Sequence, residues 1–342
     1  MQTVGHNYKN ISPLFDDMER LYAATSERVY KGGLIAPTFD VLFYNIANLF
    51  NEFGGTDYQF NYTEKFYDRL KLPKYDSKNI IVLFSGGKDS TATALYYKKR
   101  GYNVYLYHVR GINKSYPDEW KQAEKIAEYL DMPLYIDEYS MKGKLDIPDH
   151  PMKNMIIANG AIHYGIRENI GTKISPGNHY TNHLESDAFY YCGDDCPEMW
   201  WVYESLIEQI IPKFRMYIPL KNTNSTMNLL ADDLKLTELC LSCVGAQRFR
   251  AWNKQRIESK YNIHLLENRC GTCWKCCLEY IYLCDMHKLE YNEEYYKHCL
   301  NVLKKMDKEE HGGEFTTWEN LWNDYILYPI KKSHGYSTIF GH

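Results

Sequence analysis

The chain has 342 residues, 44% of them hydrophobic and 25% charged, with a formal net charge of −4. This is an ordinary globular composition, long enough for one large domain or two modest ones around a sizeable core. The charge excludes a global attraction to nucleic acid or anionic membranes, so any polyanion site has to be a local basic patch.

The first ten residues lack the apolar centre of a secretory signal, and no apolar run is long enough to span a bilayer. The expectation is a cytoplasmic protein without membrane contact. The 10 cysteines then point to metal or thiol chemistry rather than a disulfide framework. The 32 tyrosines read as compositional bias with no role attached. Homodimerisation is left open.

Residues 1–77 read as a mainly helical, aromatic-rich extension with a buried helix over 39–53, and the polar stretch 71–79 marks a boundary. Residues 78–235 carry an α/β pattern. The apolar run 79–84 predicts a buried strand, followed by a Gly-rich turn and a helix over 89–100. A second strand is expected at 104–109. Ser115 with Asp118 resembles a capping box opening a helix to about residue 130. A strand at 133–139, a helix at 152–167 and a strand at 172–177 complete the alternation, which implies a doubly wound parallel sheet of the α/β class. Residues 236–342 are cysteine-rich over 240–284 and then helical, with helices over 291–306 and 317–327 forming a C-terminal cap.

The sharpest motif is Ser85-Gly86-Gly87-Lys88-Asp89-Ser90, between the first strand and its helix. Glycines permit a tight turn and close approach to a ligand. Backbone N–H groups at a helix start carry positive partial charge and suit a phosphate. The Ser85 and Ser90 hydroxyls add donors, and Lys88 adds a point charge. Asp89 fits beside phosphates only as a helix cap or as a holder of Mg²⁺. The spacing is not that of a Walker A loop.

Cys270, Cys273 and Cys276 form C-x₂-C-x₂-C, and Cys240 with Cys243 forms a second C-x₂-C upstream. Thiolates from two such stretches complete a tetrahedral Zn²⁺ site, whose default role is structural. An iron–sulfur cluster and unliganded core thiols are the competing readings. Cys277, Cys284 and Cys299 are assigned to the core. Between the two stretches, 245–268 carries Arg248, Arg250, Lys254, Arg256 and Lys260 with Trp252 and Tyr261. This reads either as a solvated amphipathic helix or as a contact for a macromolecular substrate such as single-stranded nucleic acid.

The SGGKDS run after its strand resembles the SGGxDS signature of the PP-loop ATP pyrophosphatases, which adenylate a substrate oxygen with ATP. The cysteine pattern narrows the resemblance to the 7-cyano-7-deazaguanine synthase family. So does Asp194-Asp195-Cys196-Pro197-Glu198-Met199, similar to that family's DCRPEF segment. Ser175-Pro176-Gly177-Asn178, Lys153-Asn154-Met155 and Pro219-Leu220 agree in order, over about residues 79–280. Four features depart from the family. Lys88 stands where an apolar residue is usual, and Ser225 stands at a lysine position, with Lys221 nearby. The gap from Cys243 to Cys270 is long, and no arginine closely follows Cys276.

The resemblance implies an adenine-nucleotide-alpha-hydrolase-like, HUP-type fold and a ligase of queuosine-type biosynthesis using ATP, Mg²⁺ and Zn²⁺. It implies a 7-carboxy-7-deazaguanine-like acid and ammonia as reactants. Ser85, Gly86, Gly87, Lys88, Asp89 and Ser90 are then the phosphate residues, with Lys88, Asp89 and Ser90 closest to the chemistry. His108 and Val109, at a strand end, are expected near adenosine, although an ordinary strand-end histidine is the alternative. Asn154, Asn178, Asp195 and Glu198 are the substrate-side candidates, acidic groups suiting the N–H edge of a guanine-like base; Asp194-Asp195 reads otherwise as a solvated turn. Cys243, Cys270, Cys273 and Cys276 are the implied metal ligands. A PP-loop enzyme of another branch (tRNA thiolation or amide ligation) and a nucleotide-binding module without turnover stay open.

Overall fold

The structure, a computed structural model, describes residues 72–111, 118–138, 153–178, 200, 203, 204, 207, 211, 214–220, 223–241, 243 and 247–310. The helices expected at 39–53 and 317–327, together with Ser115, Lys221, Asp195 and Glu198, lie outside the described residues.

Four parallel strands form one sheet in the order β3-β2-β1-β4: β1 (Asn79–Leu83), β2 (Asn103–Arg110), β3 (Leu134–Glu138) and β4 (Ile174–Ser175). The β1 run Ile80, Ile81, Val82 and Leu83 is almost entirely buried, as a central parallel strand covered on both faces requires. Ile80 and Val82 share a core with Ala92 and Ala94 of α1 (Lys88–Lys98) and Ala123 and Ile126 of α2 (Glu119–Leu130). The helix α3 (Lys153–Arg167) packs on β1 as well. The fold is a parallel α/β sheet wrapped by helices.

Several boundaries move. The last expected strand shrinks to Ile174–Ser175, because Pro176 has no N–H for a ladder and Gly177 turns with φ +69°. The helix α1 begins one residue earlier than expected, at Lys88, with Gly87 as N-cap and no side-chain cap. Asp89 therefore does not cap it. Asp118 is the N-cap without a side-chain cap bond, and its carboxylate pairs with Lys121 at 2.8 Å.

Some of the tyrosine excess has a packing role. Tyr107, Tyr135 and Tyr164 stack with centroids 5.9 and 4.4 Å apart along the series, and the Tyr107 hydroxyl donates to Asp137 at 2.8 Å.

Beyond the sheet come α4 (Thr223–Leu230), α5 (Leu234–Leu239), α6 (Gln247–Tyr261), α7 (Trp274–Asp285) and α8 (Glu293–Glu310). The helix α4 packs on α1, α5 on α2, and α7 on α8. A second core joins Ile257 of α6, Leu278, Ile281 and Leu283 of α7, and Tyr295, Leu300 and Leu303 of α8. Cys277, Cys284 and Cys299 are buried in it, as core thiols. Among the described residues no helix is long and apolar enough to cross a membrane.

The basic face expected on 245–268 is thinner than its composition. Arg250 is buried, and Lys254 is held by Glu267 at 2.6 Å. Arg256 and Lys260 remain exposed, with the Arg256 guanidinium 4.9 Å from the ring centroid of Trp252, which is 59% exposed.

Candidate functional site

The loop from β1 into α1 opens at the carboxyl end of the sheet, where the strand order reverses between β1 and β4. Open α/β sheets bind ligands at such switch points. Gly86 holds φ +73°, and a Cβ there would meet the Ala123 backbone nitrogen at 3.1 Å. Gly177 crosses the loop from β4; a Cβ on it would lie 2.1 Å from the Leu83 carbonyl oxygen and 3.0 Å from Ser90 Cβ. Both positions disfavour a side chain by their positive φ, and Gly177 excludes one by space as well.

Within the loop, Gly87 N–H donates to Ser85 Oγ at 3.2 Å, and Ser90 Oγ donates to the Gly87 carbonyl at 3.1 Å. The two serine hydroxyls lie 3.3 Å apart. Gly86 C=O accepts from Leu241 N–H at 2.9 Å, so the phosphate-type loop is tied directly to the segment that leads to Cys243. Asp89 Oδ1 accepts from Thr226 Oγ1 of α4 at 2.9 Å and lies 3.4 Å from Lys88 Nζ. Thr226 is thus a partner of the motif that its sequence surroundings did not announce.

A cavity of about 330 Å³ sits over this loop, within the range of small-molecule sites. Ser85, Gly87, Lys88, Asp89 and Ser90 form its floor, and His108, Val109, Asn154 and Asn178 line it as well. Sequence positions chosen for phosphate, nucleoside and acid therefore converge on one cavity. Cys243 and Lys275 reach the same space from the cysteine region. Lys275 escaped notice as a site residue, because nothing local distinguishes a lysine inside a C-x-x-C turn.

His108 is buried, and its Nδ1 lies 2.8 Å from the Phe84 carbonyl oxygen. A carbonyl only accepts, so Nδ1 carries the proton and Nε2 is the acceptor nitrogen. Burial pushes the imidazole pKa below its ordinary value, the Phe84 bond opposing it, so the ring is neutral at pH 7.

The sulfur atoms of Cys243, Cys270, Cys273 and Cys276 all lie within 4.8 Å of one another. The pairs Cys270–Cys276 and Cys243–Cys273 are 3.8 Å apart, and Cys273–Cys276 is 3.4 Å apart. Four thiolates at about 2.3 Å from a tetrahedral centre have edges of roughly 3.8 Å, so this donor set fits a zinc ion. Cys270 Sγ also accepts from the N–H groups of Thr272 and Cys273 at 3.4 and 3.3 Å, outer bonds of the kind that stabilise a thiolate ligand. Bonding from Cys243 first, then Cys273 and Cys276, holds the Cys270 thiol well below its ordinary pKa. Cys240 stands apart: its Sγ lies 3.3 Å from the Leu236 carbonyl, and burial pushes its pKa up to about 12.

Arg269 clamps the two halves of this cluster. Fully buried, it pairs with Glu279 of α7 at 2.6 Å and donates to the Thr237 and Cys240 carbonyls at 2.8 and 2.7 Å. Those carbonyls end α5, where a cation is favoured. Arg269 is a positioning residue that the sequence reading passed over.

Residues 79–147 match the family model described as queuosine biosynthesis protein QueC. The 7-cyano-7-deazaguanine synthase 2 of Sulfurisphaera tokodaii is 42% identical over 66 residues, 19% of this chain and 14% of that protein. The 7-cyano-7-deazaguanine synthase of Sulfolobus acidocaldarius is 39% identical over 63 residues, 18% of this chain and 14% of that protein. The chain thus spans only a small part of the length of these curated relatives. Among solved structures, NMN synthetase from Francisella tularensis is 11% identical, covering 78% of this chain and 94% of its own, with a TM-score of 0.33, a likeness too loose to bear on function. The family match starts at β1 and contains the phosphate-type loop, and over that stretch the chain is similar to QueC-type proteins of the PP-loop class.

Proposed function

We propose that this protein is an ATP-dependent synthase that adenylates a 7-carboxy-7-deazaguanine-like carboxylate and converts it, with ammonia, to the amide and nitrile. The observation that carries the reading is the Ser85–Ser90 turn at the sheet's switch point, sharing one cavity with His108, Asn154 and Asn178.

A carboxylate is a poor electrophile with a poor leaving group, and adenylation cures both faults. The substrate oxygen attacks the α-phosphorus of ATP, the bond to the bridging oxygen breaks, and pyrophosphate leaves. Ammonia adds to the acyl carbon and AMP departs, giving the amide. A second adenylation, on the amide oxygen, lets loss of AMP and protons yield the nitrile. The protein's share is positioning and charge neutralisation.

The loop N–H groups with the Ser85 and Ser90 hydroxyls receive the departing pyrophosphate, and Lys88 balances its charge. His108, neutral and fixed by Phe84, orients the nucleoside beside Val109. Asn154 and Asn178 face the acid. The resemblance adds Asp195 and Glu198 as acceptors for the N–H edge of the base. Asp89 would hold Mg²⁺, a cation that takes one or two carboxylates and fills its shell with phosphate oxygens and water; bound there, it would neutralise phosphate charge.

The test is incubation with ATP, 7-carboxy-7-deazaguanine and ammonia, with AMP and product followed by mass spectrometry. Formation of nitrile with two AMP per turnover is expected. ATP consumption that does not depend on the acid would remove this substrate class.

A second reading rests on α6, which stands between Cys243 and Cys270 with Trp252 and Arg256 exposed. In it, the acyl or thiolated product is built on a macromolecule that stacks on Trp252. If Trp252→Ala with Arg256→Glu leaves turnover of every macromolecular substrate unchanged, that reading is gone.

A further inference from the structure

We propose that Lys275 is a second phosphate-binding residue of this site, delivered by the cysteine turn rather than by the sheet. The inference rests on the nucleotide reading of the loop and extends it to a residue outside the motif.

Lys275 is the second residue of α7 and lies between Cys273 and Cys276, two members of the sulfur cluster. The cluster's other strand is hydrogen-bonded to Gly86 through Leu241. The turn that carries Lys275 is therefore built onto the phosphate-type loop, and Lys275 lines the cavity with Ser85, Lys88 and Ser90. Lys88 and Lys275 also line a small gap together with Glu279.

The charge balance is uneven. Lys88 has Asp89 at 3.4 Å, and Glu279 is engaged by Arg269 at 2.6 Å. Lys275 is half-buried and, among the described residues, has no carboxylate within ion-pair distance; its ammonium lies 5.4 Å from the Trp274 ring centroid. Two ammonium groups lining one partly desolvated cleft repel each other. A polyphosphate relieves that repulsion and accepts charge-assisted bonds from both. The α7 N-terminus adds partial positive charge on the same side. The ligand class is a nucleoside triphosphate or its pyrophosphate product. A metal on the four sulfurs would hold Lys275 in place, so loss of that metal should weaken the same contact.

The experiment uses the full chain loaded with zinc, titrated by calorimetry with ATP and with AMP in the presence of magnesium. Lys275→Met is compared with Lys275→Arg and with the exposed control Lys297→Met. The expected result is ATP binding weakened at least ~10-fold by Lys275→Met, a change for AMP below ~3-fold, and unchanged zinc content. Lys275→Arg should keep ATP affinity within ~3-fold, and Lys297→Met should match the parent. Charge-assisted bonds set this scale. Equal ATP affinity in Lys275→Met overturns the assignment. So does an equal loss for ATP and AMP, or loss of zinc, because each makes the residue structural. If the unaltered chain binds no ATP, the nucleotide reading fails and this inference fails with it; if it binds ATP and Lys275→Met binds as well, only the inference fails.

Discussion

Replacing Arg269 with Met tests whether the clamp between α5 and α7 holds the site together. Arg269 is 3% exposed and Glu279 4% exposed. Both Arg269 bonds to Glu279 go to Oε1, at 2.6 and 2.7 Å, and Glu279 Oε2 has no hydrogen-bond partner among the described residues. Removing the guanidinium leaves a buried carboxylate without its counter-charge, which costs about 3–5 kcal/mol. It also strips a donor from the Thr237 carbonyl, which keeps the Cys240 N–H at 3.2 Å, and from the Cys240 carbonyl, the latter worth roughly 1–3 kcal/mol if left unsatisfied. These losses overlap, so the total expected is about 4–6 kcal/mol, a large share of a stability of roughly 5–15 kcal/mol. The double variant Arg269→Met with Glu279→Met removes the stranded charge but still leaves the Cys240 carbonyl without its Arg269 donor. It should regain at least ~2 kcal/mol of the single loss. Urea titrations of the parent, both single variants and the double give the coupling energy directly. A loss below ~1 kcal/mol for Arg269→Met, or a double variant no more stable than the Arg269 single, would refute the clamp.

Other outcomes follow from the same geometry. Gly177→Ala places a methyl 2.1 Å from the Leu83 carbonyl at φ +69°; the left-handed conformation alone costs about 1–2 kcal/mol, and ATP affinity measured by calorimetry should fall at least ~10-fold through displacement of Ser90. A variant that binds ATP normally would show that the β4 turn does not brace the loop. Stripping metal with a chelator, or Cys273→Ser, should lower the melting temperature and weaken ATP binding together, because Leu241 N–H bonds Gly86 C=O two residues before Cys243; a change in one without the other breaks the link. Burial pushes the Asp285 carboxyl up to about 7. Its folded pKa exceeds the unfolded value of about 3.9, so between them the folded chain binds more protons and stability is lost as pH rises toward 7. Asp285→Asn should thus gain on the parent in urea midpoint from pH 4 to pH 8, and a pH-independent difference would count against the buried carboxyl.

The parts of the site readable in the sequence are those encoded locally. The five-residue apolar run Ile80–Phe84, followed by Ser85, two glycines and a polar helix start at Lys88-Asp89-Ser90, specifies strand, turn and anion cradle within a dozen positions, because backbone conformation there depends on near neighbours. The cysteine spacing is equally local: C-x₂-C turns bring thiolates together before any long-range packing is considered. Failures of local reading were also local. Asp118 stands at the N-cap of α2 and not inside it, and the last expected strand overran because Pro176 and Gly177 interrupt its ladder.

The amino-acid order by itself determined the strand–loop–helix unit at 79–98, the parallel alternation after it and the four metal-type thiols, since each follows from chain periodicity and short-range sterics. Only the tertiary structure decided that Asp89 turns to Thr226, 137 residues away, that Arg269 joins α5 to α7, and that Lys275 enters the phosphate cavity beside Lys88. These placements depend on where helices cross the sheet, and that is fixed by burial of the whole core, a sum over many weak contacts that no short stretch of sequence carries.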